Sequence, residues 1–302
     1  MTAESRFNAT LMRRTAWAAV VVAAFLILLK TIAYVITDSI AMMASLADSG
    51  LDLFASSINL LAIHQALTPA DAEHRFGHGK AEPLAGLAQG AFIAGSVTFL
   101  VIESVGRLVS PHAVSHAGVG VAVMAVSIVA VFALVLFQRF TVRRTHSIAI
   151  GADFVHYLGD LATNLGVVVG ILLATEFGWL IADPIVGLLV AVGLSYSALH
   201  VFRQSYDQLM DRELPDDARD RIKTIVMRHN EVRNLHDLRT RAAGISTFIQ
   251  LHIELDPAIS LTRAHEVSDA VEADIMGAFP NAEVIIHQDP HGVEIPAALA
   301  RS

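Results

Sequence analysis

Four residues able to hold a metal ion or a proton recur at four-residue steps inside runs that are otherwise apolar: Asp48 and Asp52, then His156 and Asp160. On an α-helix that step puts both members of a pair on one face. Ser45, Ser56 and Asn59 continue the first stripe at steps of three or four, and Asp153 and Asn164 flank the second. An ionisable group at the bilayer centre costs about 2.5–3.5 kcal/mol, so four together cost on the order of 10 kcal/mol before any pairing. A hydrogen-bonded Asp–His brace between two helices would account for one pair. It would leave three carboxylates and one imidazole with no basic residue to neutralise them. A divalent cation accounts for the whole set, because three oxygens and one imidazole nitrogen complete a tetrahedron of ligands. The two stripes are therefore expected to face each other across Asp48, Asp52, His156 and Asp160.

These stripes sit in a chain built for lipid. Of 302 residues, 54% are hydrophobic and only 17% are charged, against about 25% charged in soluble domains. Residues 1–202 hold 22 of the 50 Lys, Arg, Asp and Glu, and the last hundred hold the other 28. A membrane domain, 1–206, followed by a soluble domain, 207–302, is the organisation this predicts. A hydrocarbon core about 30 Å thick needs roughly 20 apolar residues per helix. Six spans are expected at 14–36, 40–66, 82–108, 117–140, 147–175 and 179–203. Arg13-Arg14 ahead of an apolar run could also open a signal peptide, but five further spans favour a retained first helix. Arg6, Arg13 and Arg14 precede the first span. Arg75 and Lys80 follow the second, and Arg139, Arg143 and Arg144 follow the fourth, whereas the opposite connections offer only Arg107. That asymmetry puts both termini in the cytoplasm. Gly86 and Gly90, a GxxxG step, read as a site of close helix packing. Met42 and Met43 read as core residues.

In the soluble part, helical periodicity over 215–229 gives way to extended segments at 233–241 and 246–255. A helix over 262–279 follows, with Thr262 as a cap, and a strand over 283–287 closes the pattern. The αββαβ order predicts a small α+β domain, its sheet antiparallel-biased, with helices on one face. Six of the 14 histidines fall after residue 228. His229 and His291 read as solvated. His252, on an alternating strand, reads equally well as a buried hydrogen-bonded imidazole or as a ligand. In the loop between the second and third spans, Asp71, His74 and His78 could form a three-ligand site, while Gly77 and Gly79 argue against a regular helix there.

Taken together, these motifs resemble the cation diffusion facilitator family over nearly the whole chain, close to its bacterial zinc and ferrous-iron efflux members. Asp48-x-x-x-Asp52 and His156-x-x-x-Asp160 match the family's transport site. The resemblance assigns Asp71, His74 and His78 to a second site, and His236, His252, His265, His287 and Asp289 to a binuclear site in a metallochaperone-like cytoplasmic domain. It also implies a homodimer, with a salt bridge between Lys80 and Asp211. An aspartate at the first ligand position resembles the broader zinc, cadmium and iron group.

The implied activity is a divalent metal cation/proton antiporter of the bacterial inner membrane, working by alternating access. It would export Zn²⁺, with Fe²⁺ and Cd²⁺ as further cargo, and bind metal in its cytoplasmic domain as a regulatory ligand. No catalytic cofactor is expected. The formal net charge of −8 and the lack of a basic cluster argue against nucleic acid as a partner. Without Cys there is no thiolate chemistry, and a copper(I) carrier is disfavoured. Three other classes are weaker. An intramembrane metalloenzyme needs an open ligand position, and His265-Glu266-Val-Ser-Asp269 is not an HExxH motif. A proton-coupled organic-solute transporter should lack the further His/Asp clusters. A membrane-anchored sensor would not need polar stripes in the membrane.

Overall fold

The computed structural model describes residues 3–37, 40–109, 118–177 and 181–293. Six long helices come first: α1 (Ala3–Thr37), α2 (Ile40–Ala66), α3 (Ala81–Val109), α4 (Gly118–Thr145), α5 (Ile148–Phe177) and α6 (Ala182–Leu209). At 1.5 Å per residue each reaches roughly 40 Å or more, enough to cross the hydrocarbon core. Among the described residues, five are also apolar enough to span a membrane. The sixth long helix, α5, carries Asp153, His156 and Asp160. The expected spans match these helices, except that α1 and α4 run well past the apolar stretches into flanking polar sequence. Residue 117, expected to open the fourth span, and residue 179, expected to open the sixth, lie outside the described residues.

The chain divides into two compact units: a helical one, Asn8–Tyr206, and one made of the chain from Asp207 onward together with the residues up to Phe7. In the helical unit α5 packs against α2, α3 and α4. Ala19 and Leu26 of α1 join Leu134 and Val135 of α4 and Tyr157 and Leu161 of α5 in one buried cluster. Some polar atoms inside are paired across helices. Thr15 bonds Thr141 at 2.7 Å, and Ser56 of α2 bonds Tyr157 of α5 at 2.9 Å. Large apolar side chains such as Leu28, Leu61, Phe99, Ile102, Leu189 and Val192 point outward, as a lipid-facing surface demands.

The GxxxG step is only half a packing device. A Cβ on Gly86 would stand 2.3 Å from Ser205 Oγ, so only glycine fits there, whereas Gly90 has open space around its Cα. Met43 is another departure. It is 48% exposed and belongs to the outer face, not the core; Met42's side chain lies outside what the structure describes.

The C-terminal unit comprises α7 (Asp216–Val226), β1 (Asn234–Ala243), β2 (Ser246–Leu255), α8 (Leu261–Ala278) and β3 (Ala282–Pro290), the expected αββαβ order. Its sheet is mixed, not antiparallel-biased. β1 pairs antiparallel with β2, and β2 pairs parallel with β3. The intervening α8 is a crossover, which returns the chain to the same end of the sheet. Ile249, Leu251, Ile253 and Leu255 alternate into the core with Ile222 and Val226 of α7 and Val267, Val271 and Ile275 of α8. The cap of α8 is Ser260, whose Oγ accepts from Arg263 N, in place of the expected Thr262.

Candidate metal centres

Packing of α2 on α5 brings the two polar stripes together. His156 Nε2 lies 3.1 Å from Asp52 Oδ1 and 3.8 Å from Asp160 Oδ2. Ligand atoms of Asp52, His156 and Asp160 all fall within 4.8 Å of one another, the spacing a single ion would draw tighter. Asp52 and His156 are buried. Asp48 is outside that group, exposed one turn away on α2. The structure thus gathers three of the four residues expected at this site.

Behind the triad sits a second layer. Tyr157 is fully buried, its ring edge-on to His156 at 5.5 Å. Gln138 of α4 donates its amide to Asp153 Oδ2 at 2.7 Å, and Asp153 Oδ1 has no hydrogen-bond partner. Such contacts orient the ligand-bearing face of α5. Glu82 of α3, also buried, reaches Ala149 N at 3.4 Å and so sits over the N-terminal end of α5, where a carboxylate is favoured.

A basic residue, Lys30, reaches the polar stripe of α2. Its ammonium crosses from α1 to α2, donating to Ser45 O at 3.1 Å and Ser49 Oγ at 2.6 Å. In the sequence Lys30 is a lone interruption of an apolar run. Only the packing of α1 beside α2 reveals which face it serves.

The loop group is assembled in a turn. Asp71 Oδ1 accepts from the backbone N–H of His74 at 2.6 Å and of Glu73 at 2.9 Å. These bonds, that of His74 foremost, hold the carboxyl below its usual value. His74 Nδ1 and His78 Nε2 each stand 3.3 Å from an Asp71 oxygen. Gly77, at φ 78°, takes the left-handed conformation that closes the turn. Asp71 and His74 are half-exposed, whereas the His78 side chain is almost covered.

In the C-terminal unit, pairing register does the assembling. His236, His252 and His287 are direct cross-strand partners on β1, β2 and β3, and Asn234, Glu254 and Asp289 form the next row. Because strand side chains alternate, both rows share the face opposite Ile253 and Leu255. The His252 ring lies 5.0 Å from that of His236 and 4.6 Å from that of His287. Asp289 Oδ2 stands 2.8 Å from His252 Nδ1 and 3.3 Å from His236 Nε2. Those three form a compact candidate metal group. His287 approaches the other Asp289 oxygen at 3.4 Å. His265 is not brought in: it is exposed on α8, beside Asp269 at 3.5 Å.

Further residues converge on this group. A register shift after His236 leaves Asp237 buried with φ 47° and 3.8 Å from His252 Nε2. Buried Glu254 accepts from Asn234 at 2.8 Å and pairs with His291 at 2.7 Å, and lies 3.3 Å from His236 Nδ1. Burial would raise its carboxyl, but the bonds from His291 and Asn234 and the nearby His236 outweigh that and leave it below the usual value. His291 is therefore tied to the cluster, not merely solvated. His229, similarly, pairs with Asp274 at 3.1 Å. Asp211 is paired with Arg241 at 3.2 Å. The alternation of Phe248, Gln250, His252 and Glu254 was the available signal for Glu254.

Comparison with known proteins covers both units. A family model described as the cation efflux transmembrane domain matches residues 16–210, and one for the cytoplasmic domain of cation efflux proteins matches 214–291. The cation-efflux pump FieF of Klebsiella pneumoniae subsp. pneumoniae is 44% identical over 288 residues, 95% of each chain. FieF of Shewanella oneidensis is 46% identical over 277 residues, 92% of this chain and 93% of that one. Among solved structures, the metal-bound C-terminal domain of the CzcD transporter from Thermotoga maritima aligns with 26% of this chain and 93% of its own length. It is 31% identical, with a TM-score of 0.26.

Proposed function

From the premise that this chain belongs to the cation diffusion facilitator family, and is a multi-pass membrane transporter for cation efflux, we propose that it exports Zn²⁺ from the cytoplasm in exchange for protons. Fe²⁺ and Cd²⁺ are further cargo. The observation that carries this reading is the Asp52–His156–Asp160 triad, two carboxylates and an imidazole within coordination reach inside apolar helices.

Ligation requires neutral His156 and ionised carboxylates, so taking up the metal releases protons. On the far side, protons arriving at the same atoms weaken the site and expel the ion. Imidazole suits this exchange because its unperturbed pKa is about 6.5. Asp48, one turn along α2, completes the ligand set when the helices rock to close around the cargo. Exchange of a 2+ ion for one proton moves one net charge against an inside-negative potential, at about 2.3 kcal/mol per 100 mV; a second proton removes that cost.

The arginines of the even-numbered connections support cytoplasmic termini in a bacterial inner membrane. The C-terminal domain is of the dimerising kind found in this family. In the homodimer, Lys80 of one protomer would pair with Asp211 of its partner, and metal at His236, His252, His287 and Asp289 would draw the two C-terminal domains together. His265 would reach that cluster only after α8 shifts. Asp71, His74 and His78 would hold a further ion at the membrane surface.

Flux into proteoliposomes, measured for zinc, iron(II), cadmium and manganese under imposed pH gradients, tests the assignment. Zinc movement driven by an opposing proton gradient is expected. Zinc movement indifferent to that gradient would remove proton coupling, and its absence would remove the assignment itself.

A further inference from the structure

Lys30 has no place in the ligand set, yet it is the one residue of the apolar stretch 15–37 that carries a charge. A lysine at such depth is costly to insert, and one near a helix end ordinarily reaches out to the interface. Lys30 reaches inward. Its Nζ meets Ser45 O at 3.1 Å and Ser49 Oγ at 2.6 Å, and Ser49 is fully buried. Both partners are acceptors, so the nitrogen donates to each, as an ammonium with three N–H groups does. Ser45, Asp48, Ser49 and Asp52 follow one another at i, i+3, i+4 and i+7, one helical face. The ammonium is thereby fastened within the same stripe as the carboxylates, and Asp48, Asp52 and Asp160 all lie within Coulombic reach of it.

We propose that Lys30 is a tethered counter-cation of the transport site: its fixed charge completes the neutrality of the loaded site and keeps metal affinity low enough for release. The inference rests on the transport reading above and adds a residue to it. Three ionised carboxylates bring −3 to the ligand set. A divalent ion and the ammonium together cancel it, and so do two protons and the ammonium. Without Lys30 the same ligands carry an uncompensated negative charge in both loaded forms, inside a region where isolated charge is strongly disfavoured. The lysine also repels the incoming ion. A positive charge within about 10 Å in a medium of effective dielectric near 20 changes the affinity for a 2+ ion by on the order of tenfold or more.

The experiment compares zinc binding by calorimetry with zinc flux in proteoliposomes, for full-length wild type and for Lys30→Met, Lys30→Gln and Lys30→Arg. Loss of the charge should tighten zinc binding about tenfold or more and slow maximal flux several-fold, as release becomes limiting. Lys30→Arg, which keeps the charge, should restore both towards wild type. Unchanged or weaker binding in whichever of the Met and Gln variants folds would overturn the inference while leaving the transport reading intact. So would an arginine variant that behaves like methionine, since that is the mark of a packing role. A wild-type protein that binds no zinc would bring down both readings.

Discussion

Two of the candidate metal groups are built from the same kinds of side chain by opposite means. In the helical unit, the three residues come from two helices, whose polar faces meet through Asp52 and His156 and through Ser56 and Tyr157. In the C-terminal unit, the ligands come from three adjacent strands, and the sheet register alone places three imidazoles in a row. Around the second group Glu254, Asp237, His287 and His291 offer further partners. The first group can be opened or closed by a small rotation of one helix. The second cannot be opened without breaking backbone hydrogen bonds. A site meant to release its ion from alternate sides needs the former construction, and a site meant to hold one and report it suits the latter.

The comparison breaks most directly at the triad. Asp52→Ala or Asp160→Ala should reduce metal-driven proton movement in proteoliposomes by at least about a hundredfold, with helical content unchanged by circular dichroism. Retained flux would show that the triad is a brace. His252→Ala, at the centre of the strand ladder, should abolish zinc-induced shortening of the distance between labelled C-terminal domains while lowering flux only several-fold. Loss of flux as complete as that of Asp52→Ala would erase the distinction between the groups. Asp48→His should shift selectivity towards zinc over cadmium by about tenfold, read by competition binding, because an imidazole nitrogen replaces a carboxylate oxygen.

The smallest effect concerns acid. The Glu254 carboxyl is depressed in the folded chain, so the stability it contributes is complete above its ordinary value near 4.5 and is lost as pH falls through the lower folded value. Glu254→Gln should therefore lower thermal stability by about 1 kcal/mol at neutral pH, with the difference from wild type shrinking below pH 4. A difference that grew on acidification would reverse the assignment of its partners.

Much of this architecture is legible in residue order. Long apolar runs fix the helices, and the alternation of apolar and polar residues from Ile249 to Leu255 marks β2. The mixed sheet follows from physics that the order αββαβ already contains, since a strand–helix–strand passage favours parallel pairing. Other features depend on distances that no spacing carries. Ser260 and Thr262 are both plausible caps, and only the extended backbone of Ser260 selects it. Gly86 and Gly90 are alike in sequence, yet Ser205 crowds just one of them. Lys30 and Gln138 act on helices other than their own. His265 matches a family position but stands on a helix outside the ladder.

One consequence of the strand order remains. β3 follows β1, β2 and α8 in the chain, and it alone carries His287 and Asp289. A chain halted before residue 282 would present two neighbouring imidazoles without the carboxylate that links them. Under the reading proposed above, metal capture by this domain would need β3, and a copy lacking that strand would stay silent towards the ion.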